Sequence, residues 1–146
     1  MGEPVLRSAR FAELSPLELY GLLRLRVDVF VVEQACPYPE LDGRDLEPGT
    51  IHVWHELDRA VVSCIRVLDN GEARSIGRVA TAQHARSRGL SAQLVSRGIE
   101  LAEGRVIDIG AQAYLEDWYA RFGFVRSGPD YVEDGIAHLP MRRPAG

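Results

Sequence analysis

Apolar residues change their spacing several times along the chain, and each change predicts an element. Val5 to Phe11 reads as a first strand. Ser15-Pro16-Leu17-Glu18 then has the form of a capping box, with Ser15 as N-cap, Pro16 at the first helical position and Glu18 reaching back. Leu19, Leu22, Leu23, Val27 and Phe30 follow at roughly helical spacing, which predicts a helix to about Val29. Ile51 to Leu57 alternates as a strand does, Asp58-Arg59 turns the chain, and Ala60 to Leu68 returns, so the pair is expected to form a hairpin. Asp69-Asn70-Gly71 is the strongest turn signal and leads into a strand from about Arg74 to Ala80. Leu90, Leu94, Val95, Ile99 and Ala102 share one face of a helix that ends near Gly104. Val106 to Ala111 reads as a strand, Tyr114 to Phe122 as a short helix, and Phe124 to Arg126 and Ala137 to Arg142 as two closing strands. A meander of strands followed by strand, helix and strand predicts an α/β fold. Its sheet is expected to be mixed and mostly antiparallel, of about six to seven strands, with helices on both faces.

Composition narrows the class. The 146 residues are 46% hydrophobic and 26% charged, as expected of one globular domain spanning 1–146. Seventeen Lys+Arg against 21 Asp+Glu leave a net charge of -4, which argues against a broad nucleic-acid surface. No apolar run approaches the ~20 residues of a membrane span, and the N-terminus lacks a secretory h-region. A cytoplasmic protein is the expectation, with neither nucleic acid nor membrane as partner. Two cysteines, Cys36 and Cys64, make no disulfide framework and no zinc ligand set, so no metal is expected. Cys64, in the apolar run VVSCIRV, reads as a buried reduced thiol. The stretch Cys36 to Gly49, rich in Pro, Gly and acidic residues, reads as one long ordered loop of the kind that often carries function.

Chemistry concentrates in Ile76 to Leu94, IGRVATAQHARSRGLSAQL. A strand ends near Ala80-Thr81, a turn follows, and a helix begins near Gly89. The first N–H groups of a helix have no intrahelical partner, and the helix dipole adds about half a positive charge there. A pyrophosphate satisfies such a site. Gly89 would let a phosphate approach the backbone, with Arg86 and Arg88 adding charge and Ser87 and Ser91 offering hydroxyls. A glycine near a helix start beside two arginines also occurs on plain solvated surfaces, so the turn admits both readings. It is neither a Walker A loop nor a Rossmann fingerprint. In the second informative segment, QAYLEDWYARFGF, Trp118, Phe122 and Phe124 read as core aromatics and Gly123 as a helix stop. Tyr119 is either a core tyrosine with a satisfied hydroxyl or a general acid, since a phenol stays protonated at pH 7.

Together these segments resemble the GNAT superfamily of N-acetyltransferases. Arg86-Ser87-Arg88-Gly89-Leu90-Ser91 matches the pyrophosphate pattern (Arg or Gln)-x-x-Gly-x-(Gly or Ala), after a strand ending Val79-Ala80-Thr81. Trp118 to Phe124 matches the aromatic-Tyr-x-x-Phe-Gly-Phe element. Leu19 to Gln34, Tyr38 to Asp45 and Tyr131 to Met141 are similar to the ElaA-like branch.

The resemblance implies a GNAT-like sheet splayed at the cofactor site and transfer of an acetyl group from acetyl-CoA to an amine-bearing acceptor. It implies that the backbone around Val79, Ala80 and Thr81 pairs with the pantetheine arm. The main chain from Arg86 through Ser87, Arg88, Gly89 and Leu90 to Ser91 would hold the pyrophosphate, and Tyr119 would protonate the leaving thiolate. A main-chain N–H near Val79 would serve as oxyanion donor. Two positions depart from the pattern: Ser91 stands where Gly or Ala is usual, and Gln112 where many members carry an Asn that bonds a CoA carbonyl. The strand RSIGRVAT holds no carboxylate, which leaves Glu33, His52 and His138 as candidate bases. The acceptor site is expected along Phe30 to Asp45, where Glu33, Glu40, Asp42 and Asp45 would favour a cationic amine. A homodimer fits this picture, as does a non-catalytic acyl-CoA sensor of the same fold.

Overall fold

The computed structural model describes residues 2–146, and their fold is organised by an eight-stranded sheet in the order β1-β2-β3-β4-β5-β8-β6, with β7 paired to β8. The strands are β1 Val5–Ala9, β2 Ile51–Leu57, β3 Ala60–Asp69, β4 Ala73–Thr81, β5 Val106–Gln112, β6 Val125–Arg126, β7 Tyr131–Glu133 and β8 Ile136–Arg143. All neighbours run antiparallel except β4 and β5. Asp58 and Arg59 turn β2 into β3, both at positive φ (51° and 66°), the hand that matches the twist of a tight hairpin.

The first helix, α1, spans Pro16–Arg26 and is started by the expected box: Ser15 Oγ accepts from the Glu18 N–H at 3.0 Å, and Glu18 Oε1 accepts from the Ser15 N–H at 2.8 Å. Beyond Arg26 the chain does not end as an α-helix near Val29. It widens into a π-type coil over Val27–Glu33 that swings Phe30 and Glu33 toward the sheet's centre. Helix α2, Leu90–Leu101, and the short α3, Glu116–Ala120, follow. The first strand stops at Ala9, short of Phe11, and a tight turn over Phe11–Glu13 leads into α1. The eighth strand, β7, was not anticipated, although Asp134-Gly135 between Tyr-Val-Glu and Ile-Ala-His is a hairpin signal.

The two faces of the sheet are covered differently. Leu94 and Val95 of α2 and Tyr119 of α3 pack with Ile65, Val67, Ile76, Ile107, Ile109, Leu139 and Met141 on one face. Gly98 lets α2 approach closely, since a Cβ there would lie 2.9 Å from Ile65 Cδ1. Leu22 and Leu25 of α1 and Val29 of the π-type coil cover Trp54, Cys64 and Ala80 on the other. Cys64 is a buried free thiol, pushed up to about 12 by burial. No helix among the described residues is long and apolar enough to cross a membrane.

Candidate active site

The sheet opens at its centre. β4 and β5 pair only over Ala73–Ser75 and Val106–Asp108; beyond, they diverge. A bulge drives the divergence: Cys64 pairs with Ala80 and Arg66 with Gly77, so Arg78 and Val79 oppose the single residue Ile65. Arg78 sits at φ 52°, a costly conformation for a side-chain-bearing residue and therefore one its surroundings must enforce. The result is a cleft of about 860 Å³. Val79, Ala80, Thr81 and Gln112 line it, and so do Arg86, Ser87, Gly89, Leu90 and Ser91. Arg88 is exposed and lies outside the lining.

At one end of the cleft the chain turns into α2. Ser87 (φ 66°) and Gly89 (φ 75°) are both left-handed, and a Cβ at Gly89 would stand in open space. The first intrahelical bond runs from the Gln93 N–H to the Gly89 carbonyl at 3.2 Å, so the N–H groups just before Gln93 have no helical acceptor. Ser91 does not aim its hydroxyl at this space: it bonds Thr81 Oγ1 at 2.7 Å, which bonds Ser63 Oγ at 2.8 Å. The Arg86 guanidinium grips Glu33 at 2.6 and 2.7 Å and donates through Nε to the Thr81 carbonyl at 3.0 Å. That partner holds the Glu33 carboxyl below its ordinary range.

Tyr119 enters the cleft from the α2 face. It is 6% exposed, lies edge-on to Trp118 and Phe124, and its hydroxyl has no hydrogen-bond partner among the described residues. Burial, helped slightly by Tyr114, raises the phenol to about 12.

The acidic loop behaves differently from the expectation that its carboxylates attract a cation. Three arginines from three elements neutralise them. Arg26 donates to Glu40 Oε2 at 2.6 Å and to Asp45 Oδ1 at 2.7 Å; Arg66 reaches Asp42 Oδ2 at 2.6 Å and Asp45 Oδ1 at 3.1 Å; Arg78 reaches Glu40 Oε2 at 2.9 Å. Glu40 also accepts from the Tyr38 hydroxyl. The hydrogen bonds from Arg66 hold Asp42 well below the usual carboxylate range. Burial works to raise Asp45, but the contacts with Arg26 and Arg66 outweigh it and hold it low. Asp42 therefore anchors the loop instead of facing an acceptor.

His52 is a second correction. It was expected as a candidate base, but its strand is covered on both faces. It is 2% exposed, its Nε2 bonds the Asp45 carbonyl at 3.2 Å, and it does not line the cleft. Burial lowers its pKa. Glu33 does line the cleft, but its carboxylate is spent on Arg86. His138 lines it, directly across the β5–β8 pair from Gln112, with one ring nitrogen bonded to the Ile136 carbonyl. The residues missed from sequence are Arg26, Arg66 and Arg78; Arg66 inside the apolar run of β3 was the available signal, because a charge there requires a buried partner.

An antiparallel sheet split at one parallel pair, with a bulged strand feeding a glycine-started helix, defines an α/β fold with an open cleft at the centre of its sheet. The acetyltransferase (GNAT) domain family model matches residues 23–144, and the chain belongs to that family. Within it the chain is ElaA-like: it is 39% identical to Protein ElaA of Escherichia coli over 139 residues, covering 90% of this chain and 91% of that protein. A UPF0039 protein of Mycobacterium tuberculosis is 46% identical over 144 residues, covering 95% and 92%. Among solved structures, an acyl-CoA N-acyltransferase from Pseudomonas aeruginosa superposes with a TM-score of 0.93 at 40% identity, covering 97% of this chain and 99% of that one.

Proposed function

We propose that this protein is a single-domain acyltransferase that moves an acetyl group from acetyl-CoA directly to an amine. The observation that carries the reading is the continuity of one cleft: splayed strand edges, a bulge, the open start of α2 and a buried unpartnered phenol all face the same space. The residues present fit coenzyme A. Edges of Val79 and Thr81 suit an extended amide-bearing arm, and the left-handed turn before α2 suits a diphosphate. When bound, the thioester supplies the activated acyl carbon.

The protein's part is placement, polarisation and proton delivery. The bulge frees main-chain groups near Val79, and an N–H there stabilises charge developing on the carbonyl oxygen. Holding the amine nitrogen ~3–3.5 Å from the acyl carbon accounts for up to about 7–11 kcal/mol of the barrier. Tyr119, kept protonated by burial, gives its proton to the departing sulfur. Gln112 lines the cleft at the end of β5, and in this reading its side chain bonds an amide of the arm.

The test is thiol release from acetyl-CoA across a panel of amines, beside calorimetry with coenzyme A. Release that depends on the amine supports transfer. Binding heat without release identifies an acyl-CoA sensor, and the absence of any heat removes the reading altogether.

A further inference from the structure

We infer that His138 is the general base that takes the proton from the acceptor amine, an inference that rests on the acyl-transfer reading above. His138 Nδ1 lies 2.7 Å from the Ile136 carbonyl. A carbonyl oxygen can only accept, so Nδ1 carries a hydrogen and the neutral ring keeps its lone pair on Nε2. That tautomer is built into the β7–β8 hairpin itself, two residues from the turn. The ring is stacked on Tyr131 at 5.6 Å between centroids and 19° between planes. Tyr131 is held in turn against β5, where its hydroxyl fills the space over Gly110; a Cβ there would meet it at 2.5 Å. The hydrogen bond thus fixes the tautomer, and the stacking on Tyr131, itself seated against β5, fixes the position and orientation of the ring.

The placement suits the role. Gln112 and His138 are paired across β5 and β8, and their neighbours Ile109, Ala111 and Leu139 pack into the α2-side core. Alternation along the strands therefore sets Gln112 and His138 on the opposite face. Tyr119 belongs to the α2 side, so acid and base reach the cleft from opposite faces of the sheet. The other candidates are committed elsewhere, Glu33 to Arg86 and His52 to the Asp45 carbonyl. The titratable groups sharing this end of the cleft are Tyr131, Glu133 and Asp134 of the hairpin, Tyr114 beyond β5, and Cys36 and Arg78 opposite. None forms an ion pair or hydrogen bond with the imidazole among the described residues, so Nε2 is left for substrate.

The step balances without a co-reactant. The amine nitrogen forms its bond to the acyl carbon and loses a proton to His138 Nε2, the carbon–sulfur bond breaks, and the sulfur takes the Tyr119 proton. The imidazolium then returns its proton, through solvent, to the tyrosinate.

The experiment compares the wild type with His138→Asn, whose amide can still donate to the Ile136 carbonyl, in three measurements. Nitrogen-15 NMR of histidine-labelled protein is expected to show Nδ1 protonated and Nε2 bare in the neutral ring. Calorimetry is expected to show unchanged affinity for coenzyme A. Amine-dependent thiol release is expected to fall by roughly 10²–10⁴-fold. A protonated Nε2 in the neutral ring, lost coenzyme binding, or turnover within a few-fold of wild type overturns the assignment. Wild-type protein that releases no thiol with any amine is a separate failure, of the acyl-transfer reading, and takes this assignment with it.

Discussion

The Glu33 carboxylate and the Arg86 guanidinium form a two-pronged ion pair, at 2.6 and 2.7 Å, that ties the π-type end of the first helix to the turn before α2. Both side chains remain more than a third exposed, so the pair contributes no more than about 1 kcal/mol. In the proposed reading it also occupies a cation that would otherwise meet the diphosphate. Glu33→Gln should therefore leave thermal stability nearly unchanged and tighten coenzyme A binding by up to about fivefold. Calorimetry at low and high salt checks this, because the gain should shrink as salt screens the exposed Arg86. Weaker binding in the variant would mean that Glu33 aims Arg86 instead of restraining it.

Tyr119→Phe should lower turnover by about 10²–10⁴-fold and leave coenzyme affinity intact, since the hydroxyl bonds no other residue among those described. Burial raises the phenol to about 12. Its proton is therefore in place throughout the accessible range, and Tyr119 should impose no falling limb on the rate below about pH 11. A basic limb near the ordinary tyrosine value, absent from the phenylalanine variant, would contradict that environment.

The β2–β3 hairpin, the Ser15 cap and the change of period at Leu90 were legible because each is local: a few neighbouring residues determine the backbone. The acidic loop was not. Glu40, Asp42 and Asp45 look like surface carboxylates until Arg26, Arg66 and Arg78 arrive from one helix and two strands, and no local pattern announces that meeting. His52 was named as a candidate base for a related reason: nothing within β2 announces that β1 and β3 flank it and that both its faces are covered, which buries the imidazole. The turn before α2 could be located from Gly89 alone, but the inward bond of Ser91 depends on Thr81 and Ser63, two strands away.

That inward bond has a consequence. If the diphosphate is held by main-chain N–H groups, removing the Ser91 hydroxyl should not matter to it. Ser91→Ala should bind coenzyme A within about twofold of wild type while losing about 1 kcal/mol of stability from the severed Thr81 contact. Paired calorimetry and urea unfolding separate the two effects. A large affinity loss at unchanged stability would place the hydroxyl on the phosphate.

Two buried histidines set the response of stability to acid. Burial lowers the pKa of His52 and of His55, whose Nε2 bonds Gln93 at 2.9 Å while its Nδ1 has no partner among the described residues. Folded values below the unfolded one mean that the unfolded chain takes up protons first. Stability is then full above about pH 6.5 and falls as the pH drops toward the folded values, by at most about 1.4 kcal/mol per pH unit for each histidine. Asp42 and Asp45 are also depressed, but their contribution is lost only as the pH falls through the carboxylate range, below about pH 4 and outside the interval from pH 7.5 to 5.5. Urea midpoints at pH 7.5 and 5.5 should differ for the wild type and differ less for His52→Gln or His55→Gln. An identical pH response in a variant would acquit that histidine.

The three-arginine cluster should be the most sensitive point of the molecule. Arg26 is 2% exposed and satisfies both Glu40 and Asp45. Arg26→Met keeps the length of the side chain and leaves three carboxylates facing two arginines, one negative charge too many in a buried place. Breaking such a pair costs about 3–5 kcal/mol, more than a typical surface change by an order of magnitude. Arg26→Lys keeps the charge but replaces a planar fork with a point donor that cannot serve both carboxylates, so its loss should be smaller. The effect should also reach the active site, because Glu40 is shared with Arg78, whose left-handed backbone makes the bulge that opens the cleft. Urea unfolding should therefore rank wild type above Lys above Met, and coenzyme affinity should fall in the same order. If the Met variant unfolds within about 1 kcal/mol of wild type, the cluster does not hold the loop, and the strain at Arg78 must be sustained by the strand pairing alone.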